Sequence, residues 1–221
     1  MSFPRLKICG ITNLADARYA SGVGADYLGF IQHPDSPRYV EPDFAAEIIE
    51  WLYGPAPVGV FVNRSADEVN AVCERAGFEV AQLHGDETPE ECSRIDRPVI
   101  KAVRIGEDDS ADEIRDRVES FAGVANAVLF DTRDDHAFGG TGNTFDWSVV
   151  SDIARETRVF LAGGISAENL AEAVERVGPW GIDVSSSLEV EPGQKDFPLI
   201  DEFMDVYRQV AVDAPPGEGQ L

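Results

Sequence analysis

Lysine is almost missing from this chain. Only Lys7, Lys101 and Lys195 carry it, and the other fifteen of the 18 basic residues are arginine, against 41 acidic residues and a net charge of −23. Nucleic acid and anionic membranes are poor partners for such a protein, because its overall field repels phosphate. An anionic ligand needs a local site that works against that field. An acidic, lysine-poor surface on an otherwise ordinary composition suggests a halophilic protein, since molar salt screens the repulsion to within about 3 Å. Cysteine is also scarce. The three present, Cys9, Cys73 and Cys92, are odd in number and have no metal-ligand spacing, which argues against a disulfide framework or a zinc site and suits a reducing cytoplasm. Apolar runs are short everywhere, so neither a membrane span nor a signal segment is expected.

What the chain does have is alternation. Short apolar runs at 5–11, 26–31, 57–62, 80–84, 99–105, 127–131, 159–162 and 182–185 are separated by amphipathic stretches. Repeated βα units imply a parallel sheet. Helix starts are marked by Ser65-Ala66-Asp67-Glu68, Thr88-Pro89-Glu90-Glu91 and Ser110-Ala111-Asp112-Glu113, and Ser166 is expected to cap another helix. Cys73 falls in an apolar helical stripe with Val69 and Val72, so it reads as core, and Cys92 reads as packing too. Eight units with no first-strand G-x-G-x-x-G favour an α/β (βα)8 TIM barrel in a single domain over a doubly wound sheet. The barrel is expected to fill residues 1–210, with 211–221 as a disordered tail.

Chemistry in such a barrel collects at the carboxyl ends of the strands. Those ends carry Cys9-Gly10, Ser36-Pro37-Arg38-Tyr39, Asn63-Arg64, His84-Gly85-Asp86, Arg104, Asp131-Thr132, Gly163-Gly164 and Asp183-Val184-Ser185-Ser186-Ser187. Any one of them has a structural explanation, and a cysteine on an apolar run is more often core than nucleophile or base. Their joint placement is what points to a site. Small residues after the seventh and eighth strands would let backbone N–H groups approach a phosphate, with Gly163-Gly164-Ile165-Ser166 opening a helix beside it. A glycine cluster at Phe138-Gly139-Gly140-Thr141-Gly142 suits a loop that closes over a ligand.

Read in order, Lys7-Ile8-Cys9-Gly10-Ile11-Thr12, Ser36-Pro37-Arg38-Tyr39-Val40, Gln82-Leu83-His84-Gly85, Gly139-Gly140-Thr141-Gly142, Leu161-Ala162-Gly163-Gly164 and Asp183-Val184-Ser185-Ser186 closely resemble the phosphoribosylanthranilate isomerases of tryptophan biosynthesis. The resemblance runs from residue 5 to about residue 209. It implies a TIM barrel acting on a small phosphosugar by an Amadori rearrangement, with no cofactor and no metal. It also implies roles. Cys9 would be the general base and Asp131 the general acid. Arg38 would hold the anthranilate carboxylate, His84 and Asp183 would line the site, and Gly164, Ser186 and Ser187 would lie at the phosphate. A thiol base needs a pKa drawn down towards neutrality, and a carboxylic acid one drawn up, so the two should sit in different environments.

Two departures stand out. Ser187 occupies a position where that family usually has glycine, and Gln32-His33 replaces a more usual aromatic or apolar pair. Two other phosphosugar barrels compete with this reading. A synthase would want a lysine at a strand end, whereas Lys7 shares a face with Cys9 but lies deeper. A metal-dependent epimerase would want several histidines at strand ends, where only His84 stands. A non-catalytic phosphosugar-binding protein would need neither Cys9 nor Asp131. Length and charge suit a monomer or a small homo-oligomer.

Overall fold

The computed structural model describes residues 4–106, 108–132 and 147–212. Eight parallel strands close on themselves in sequence order, β1 pairing with both β2 and β8. They are β1 (Arg5–Cys9), β2 (Tyr27–Ile31), β3 (Ala56–Phe61), β4 (Val80–Leu83), β5 (Val99–Ile105), β6 (Ala127–Thr132), β7 (Val159–Leu161) and β8 (Gly181–Val184). The helices outside them are α1 (Leu14–Val23), α2 (Pro42–Ile49), α3 (Ala66–Ala76), α4 (Pro89–Cys92), α5 (Ala111–Ser120), α6 (Ser151–Glu156), α7 (Leu170–Val177) and α8 (Phe197–Val212). Among the described residues no helix is long and apolar enough to cross a membrane.

The period of two along each strand divides the core. On β1, Leu6 and Ile8 face the helices and join the outer layer, whereas Cys9 joins the apolar interior with Val58, Val60, Ile100, Leu129 and Phe160. Tyr27, Phe160 and Trp180 close the floor edge to face, with Tyr27–Phe160 ring centroids 5.6 Å apart and Phe160–Trp180 centroids 5.1 Å apart. α8 is fastened to the chain start by the Tyr207 hydroxyl, which donates to the Pro4 carbonyl at 2.6 Å.

Expected strand limits differ from the observed ones by at most two residues at either end. Ser65, Thr88 and Ser110 each form the full reciprocal capping box. Ser166 does not cap a helix. α7 begins later, at Leu170, and the Asn169 side chain accepts from the Ser166 N–H at 2.9 Å, so Gly163–Ser166 lead into a turn rather than a helix. After β8 the chain makes a 3₁₀ turn at Ser186–Leu188 and then an unforeseen antiparallel hairpin, β9 (Glu189–Glu191) and β10 (Gln194–Lys195). α8 includes Ala211 and Val212, the first two residues of the expected tail. The remainder of that tail and the Phe138–Gly142 loop lie outside the described residues.

Candidate active site

The strand ends open into a cleft lined by Cys9, Arg38, His84, Asp131, Gly164, Asp183 and Ser186, together with Ser36, Gln82, Gly163 and Ser185. Seven of the eight residues expected at the site therefore meet in one cavity. Ser187 does not line it. Its hydroxyl donates to the Ile165 carbonyl at 2.6 Å and so ties the loop after β8 to the loop after β7. The serine side chain thus serves loop-to-loop packing, which a glycine there would leave to the backbone.

Cys9 ends β1 opposite Gly29 of β2. A Cβ on Gly29 would lie 2.6 Å from Cys9 Sγ and 3.1 Å from Lys7 Nζ, so thiol and ammonium share the space that the glycine leaves. Lys7 is wholly buried and donates to Asp183 Oδ1 at 2.9 Å. Burial alone would pull its pKa down, but Asp183 and Cys9 together raise it above the ordinary lysine value. The same burial pushes the Cys9 thiol up, against the pull of Lys7. This corrects the expectation of a depressed thiol. Desolvation outweighs the neighbouring cation.

Asp131 ends β6 with both oxygens engaged. Oδ1 accepts from the Thr132 N–H at 2.9 Å, and Oδ2 lies 3.1 Å from His84 Nε2. His84 Nδ1 is 2.9 Å from the Gln82 amide nitrogen. An amide N–H donating to Nδ1 leaves the proton on Nε2, aimed at Asp131. Gly163, in the left-handed region at φ 77°, is required here, since a Cβ would sit 2.5 Å from Thr132 Oγ1 and 3.0 Å from Asp131 Oδ1.

Arg38 approaches from the loop after β2, and Glu189 holds it. Nε lies 3.0 Å from both carboxylate oxygens and Nη2 lies 2.6 Å from Oε2. Lys195 Nζ reaches the same carboxylate at 2.8 Å. Although burial opposes it, these two cations hold Glu189 below the ordinary carboxylate range. Glu189 and Lys195 escaped notice in the sequence because the hairpin that delivers them was not foreseen. The only available signal was that Lys195 is one of three lysines in the chain.

These features define a class: a (βα)8-barrel enzyme whose cleft opens at the carboxyl ends of the strands and is lined in part by the loops after β7 and β8. Residues 6–206 match the family model of N-(5'-phosphoribosyl)anthranilate (PRA) isomerase. A relative of that name from Geobacter metallireducens is 45% identical over 202 residues, covering 90% of this chain and 96% of the relative. Another, from Pelobacter propionicus, is 41% identical over 209 residues, covering 93% and 96%. The Thermotoga maritima phosphoribosyl anthranilate isomerase structure superposes with a TM-score of 0.84 at 36% identity, covering 93% of this chain and 99% of that one. A further isomerase structure, in complex with reduced 1-(o-carboxyphenylamino)-1-deoxyribulose 5-phosphate, superposes with a TM-score of 0.81 at 34% identity, with the same coverages. The chain belongs to the N-(5'-phosphoribosyl)anthranilate isomerase family. It is an isomerase of tryptophan biosynthesis.

Proposed function

We propose that this isomerase works by paired acid–base catalysis, with Asp131 as the acid and Cys9 as the base. Asp131 protonates the furanose ring oxygen, the ring opens to a Schiff base, and Cys9 removes the C2 proton. The resulting enolamine becomes the ketone of 1-(2-carboxyphenylamino)-1-deoxyribulose 5-phosphate. Cys9 ends with a proton and Asp131 without one, and exchange with water resets them. The observation that carries the reading is the pair of donors on Asp131. His84 and the Thr132 amide already point at the carboxylate that ring opening creates, so its charge develops against fixed hydrogen bonds. Lys7 plays the matching part for the Cys9 thiolate, and Asp183 keeps Lys7 charged.

Arg38 takes the substrate carboxylate, its Nη1 being free of hydrogen-bond partners among the described residues. The phosphate lies between Gly164 and Ser186, where backbone N–H groups can approach closely, and Ser187 acts there through its bond to Ile165. Loss of substrate fluorescence tests these roles. Cys9→Ala and Asp131→Ala should each lower kcat by about 10²–10⁴-fold with an unchanged circular dichroism spectrum. Either variant turning over at the wild-type rate would remove that residue from the mechanism.

We also infer a cytoplasmic, halophilic enzyme. Three buried free thiols fit a reducing compartment. The charge of −23 and the absence of lysine from the surface fit high salt, all three lysines being at most 4% exposed.

A further inference from the structure

This chain places lysine only in its interior, each time against a carboxylate: Lys7 with Asp183, Lys101 with Glu87, and Lys195 with Glu189. The first belongs to the floor of the cleft. The second is satisfied by its carboxylate and by the carbonyls of Leu83 and Gly85. Lys195 differs, because it comes from β10, outside the barrel. Its ammonium donates to the Cys9 carbonyl at 2.6 Å, the Ser185 carbonyl at 3.1 Å and Glu189 Oε1 at 2.8 Å. Three acceptors require three protons, which only the charged amine has, and Glu189 supports that charge against the burial that draws the Lys195 pKa below the ordinary lysine value. Glu189 passes the connection to Arg38. One unbroken set of bonds therefore joins the backbone of Cys9, the loop after β8 and the guanidinium.

The charge in this set does not cancel. Two cations face one carboxylate, leaving one positive charge buried in a protein of net charge −23. Apolar packing would serve stability at least as well, since burying an ion strips it of water. Gly10 makes room for the arrangement. At φ 81°, a Cβ there would lie 2.8 Å from Arg38 Cδ and 3.2 Å from Glu189 Oε1.

We propose that Glu189 and Lys195 are positioning residues for the isomerisation. Glu189 presents Arg38 to the substrate carboxylate. Lys195 fixes the carboxyl end of β1 and supplies the surplus positive charge that favours both the anionic substrate and negative charge on Cys9. The proposal rests on the roles given above to Cys9 and Arg38.

The charged groups around Cys9 are Lys7 on its own strand, Asp183 on β8 and Lys195 on β10, with Arg38 and Glu189 behind Lys195 and with His84 and Asp131 lining the same cleft. Lys7 and Asp183 compensate each other. Removing Lys195 therefore removes net positive charge, and Lys195→Met does so while leaving Arg38 and Glu189 as a neutral pair. The KM for phosphoribosylanthranilate should rise about tenfold, and the acid limb of the pH profile of kcat/KM should move up by about one unit. Lys195→Arg keeps the charge but not the three contacts, so it should return the limb to its wild-type position while kcat falls below the wild-type value. A clamp with a merely structural role would change the yield of folded enzyme and leave the limb in place.

A folded Lys195→Met enzyme with wild-type KM and limb overturns the proposal. If Lys195→Met does not fold, Glu189→Gln decides, because it removes the one carboxylate of the set and adds net positive charge beside Cys9. An acid limb moved to lower pH supports the proposal, and a limb left in place overturns it. If Cys9→Ala itself retains activity, the fault lies with the role of Cys9 and not with the clamp alone.

Discussion

Lys7 and Cys9 leave β1 two residues apart, so their charges act as one system inside the barrel. Replacing Lys7 by methionine keeps the volume and strands Asp183, whose one ion pair among the described residues is with the Lys7 ammonium at 2.9 Å. Breaking a buried pair on one side costs about 3–5 kcal/mol, and a urea titration should find that loss. The same variant should move the acid limb of kcat/KM to higher pH, since the thiolate loses its nearest cation. Cys9, Arg38, His84, Asp131 and Asp183 were legible in the sequence because each stands on a strand or in the loop that follows one, and a closed barrel brings strand ends together. Lys195 and Glu189 were not, because their partners depend on how a hairpin folds back. Nor was the state of the thiol, because burial is a property of the whole interior and not of the Lys7-Ile8-Cys9 spacing.

At the scale of elements, the two ends of the barrel do different work. The floor is packing. Phe160→Ala should cost about 3–5 kcal/mol in a denaturant titration and leave kcat nearly unchanged at temperatures where the variant is folded. A large fall in kcat would mean that the floor and the mouth are coupled. The mouth is held by β9 and β10, which are tied to α1 through Asp16, whose Oδ2 accepts from the Lys195 N–H at 2.9 Å. Gly10→Ala should therefore raise KM through Arg38 while adding about 1–2 kcal/mol of backbone strain. An unchanged KM would show that Arg38 does not depend on this approach. Strands and capping boxes were legible because their signals are local. The start of α7 was not. Ser166 looks like a cap, but the Asn169 amide takes its N–H and turns the chain first.

At the scale of the whole molecule, the surface carries many carboxylates and no lysine, and among the described residues arginine makes exposed ion pairs such as Arg94–Asp67 and Arg115–Glu156. Such pairs contribute little singly, whereas the summed repulsion of a −23 chain is large and is screened by salt. Tm should rise steadily between dilute buffer and about 1 M KCl, and a flat or falling Tm would refute the halophilic reading. Alkaline pH acts through the buried thiols. Burial pushes Cys73 from 9.0 up to about 12 and Cys92 from 9.0 up to about 11. The unfolded chain therefore releases these protons first. Their contribution to stability is full below pH 9 and declines as pH rises towards 11 and 12. Glu189 has the opposite sign, its contribution being present above the ordinary 4.5 and lost as pH falls below it. Urea midpoints across this range should trace both declines.

The most direct test of the mechanism follows deuterium placed at C2 of the ribose. Wild-type enzyme should release it from C2 as the ketone forms, and Cys9→Ala, folded and able to bind the substrate, should leave it in place. Release by Cys9→Ala at the wild-type rate would contradict the account, because the proton would then be leaving to some group other than the thiol.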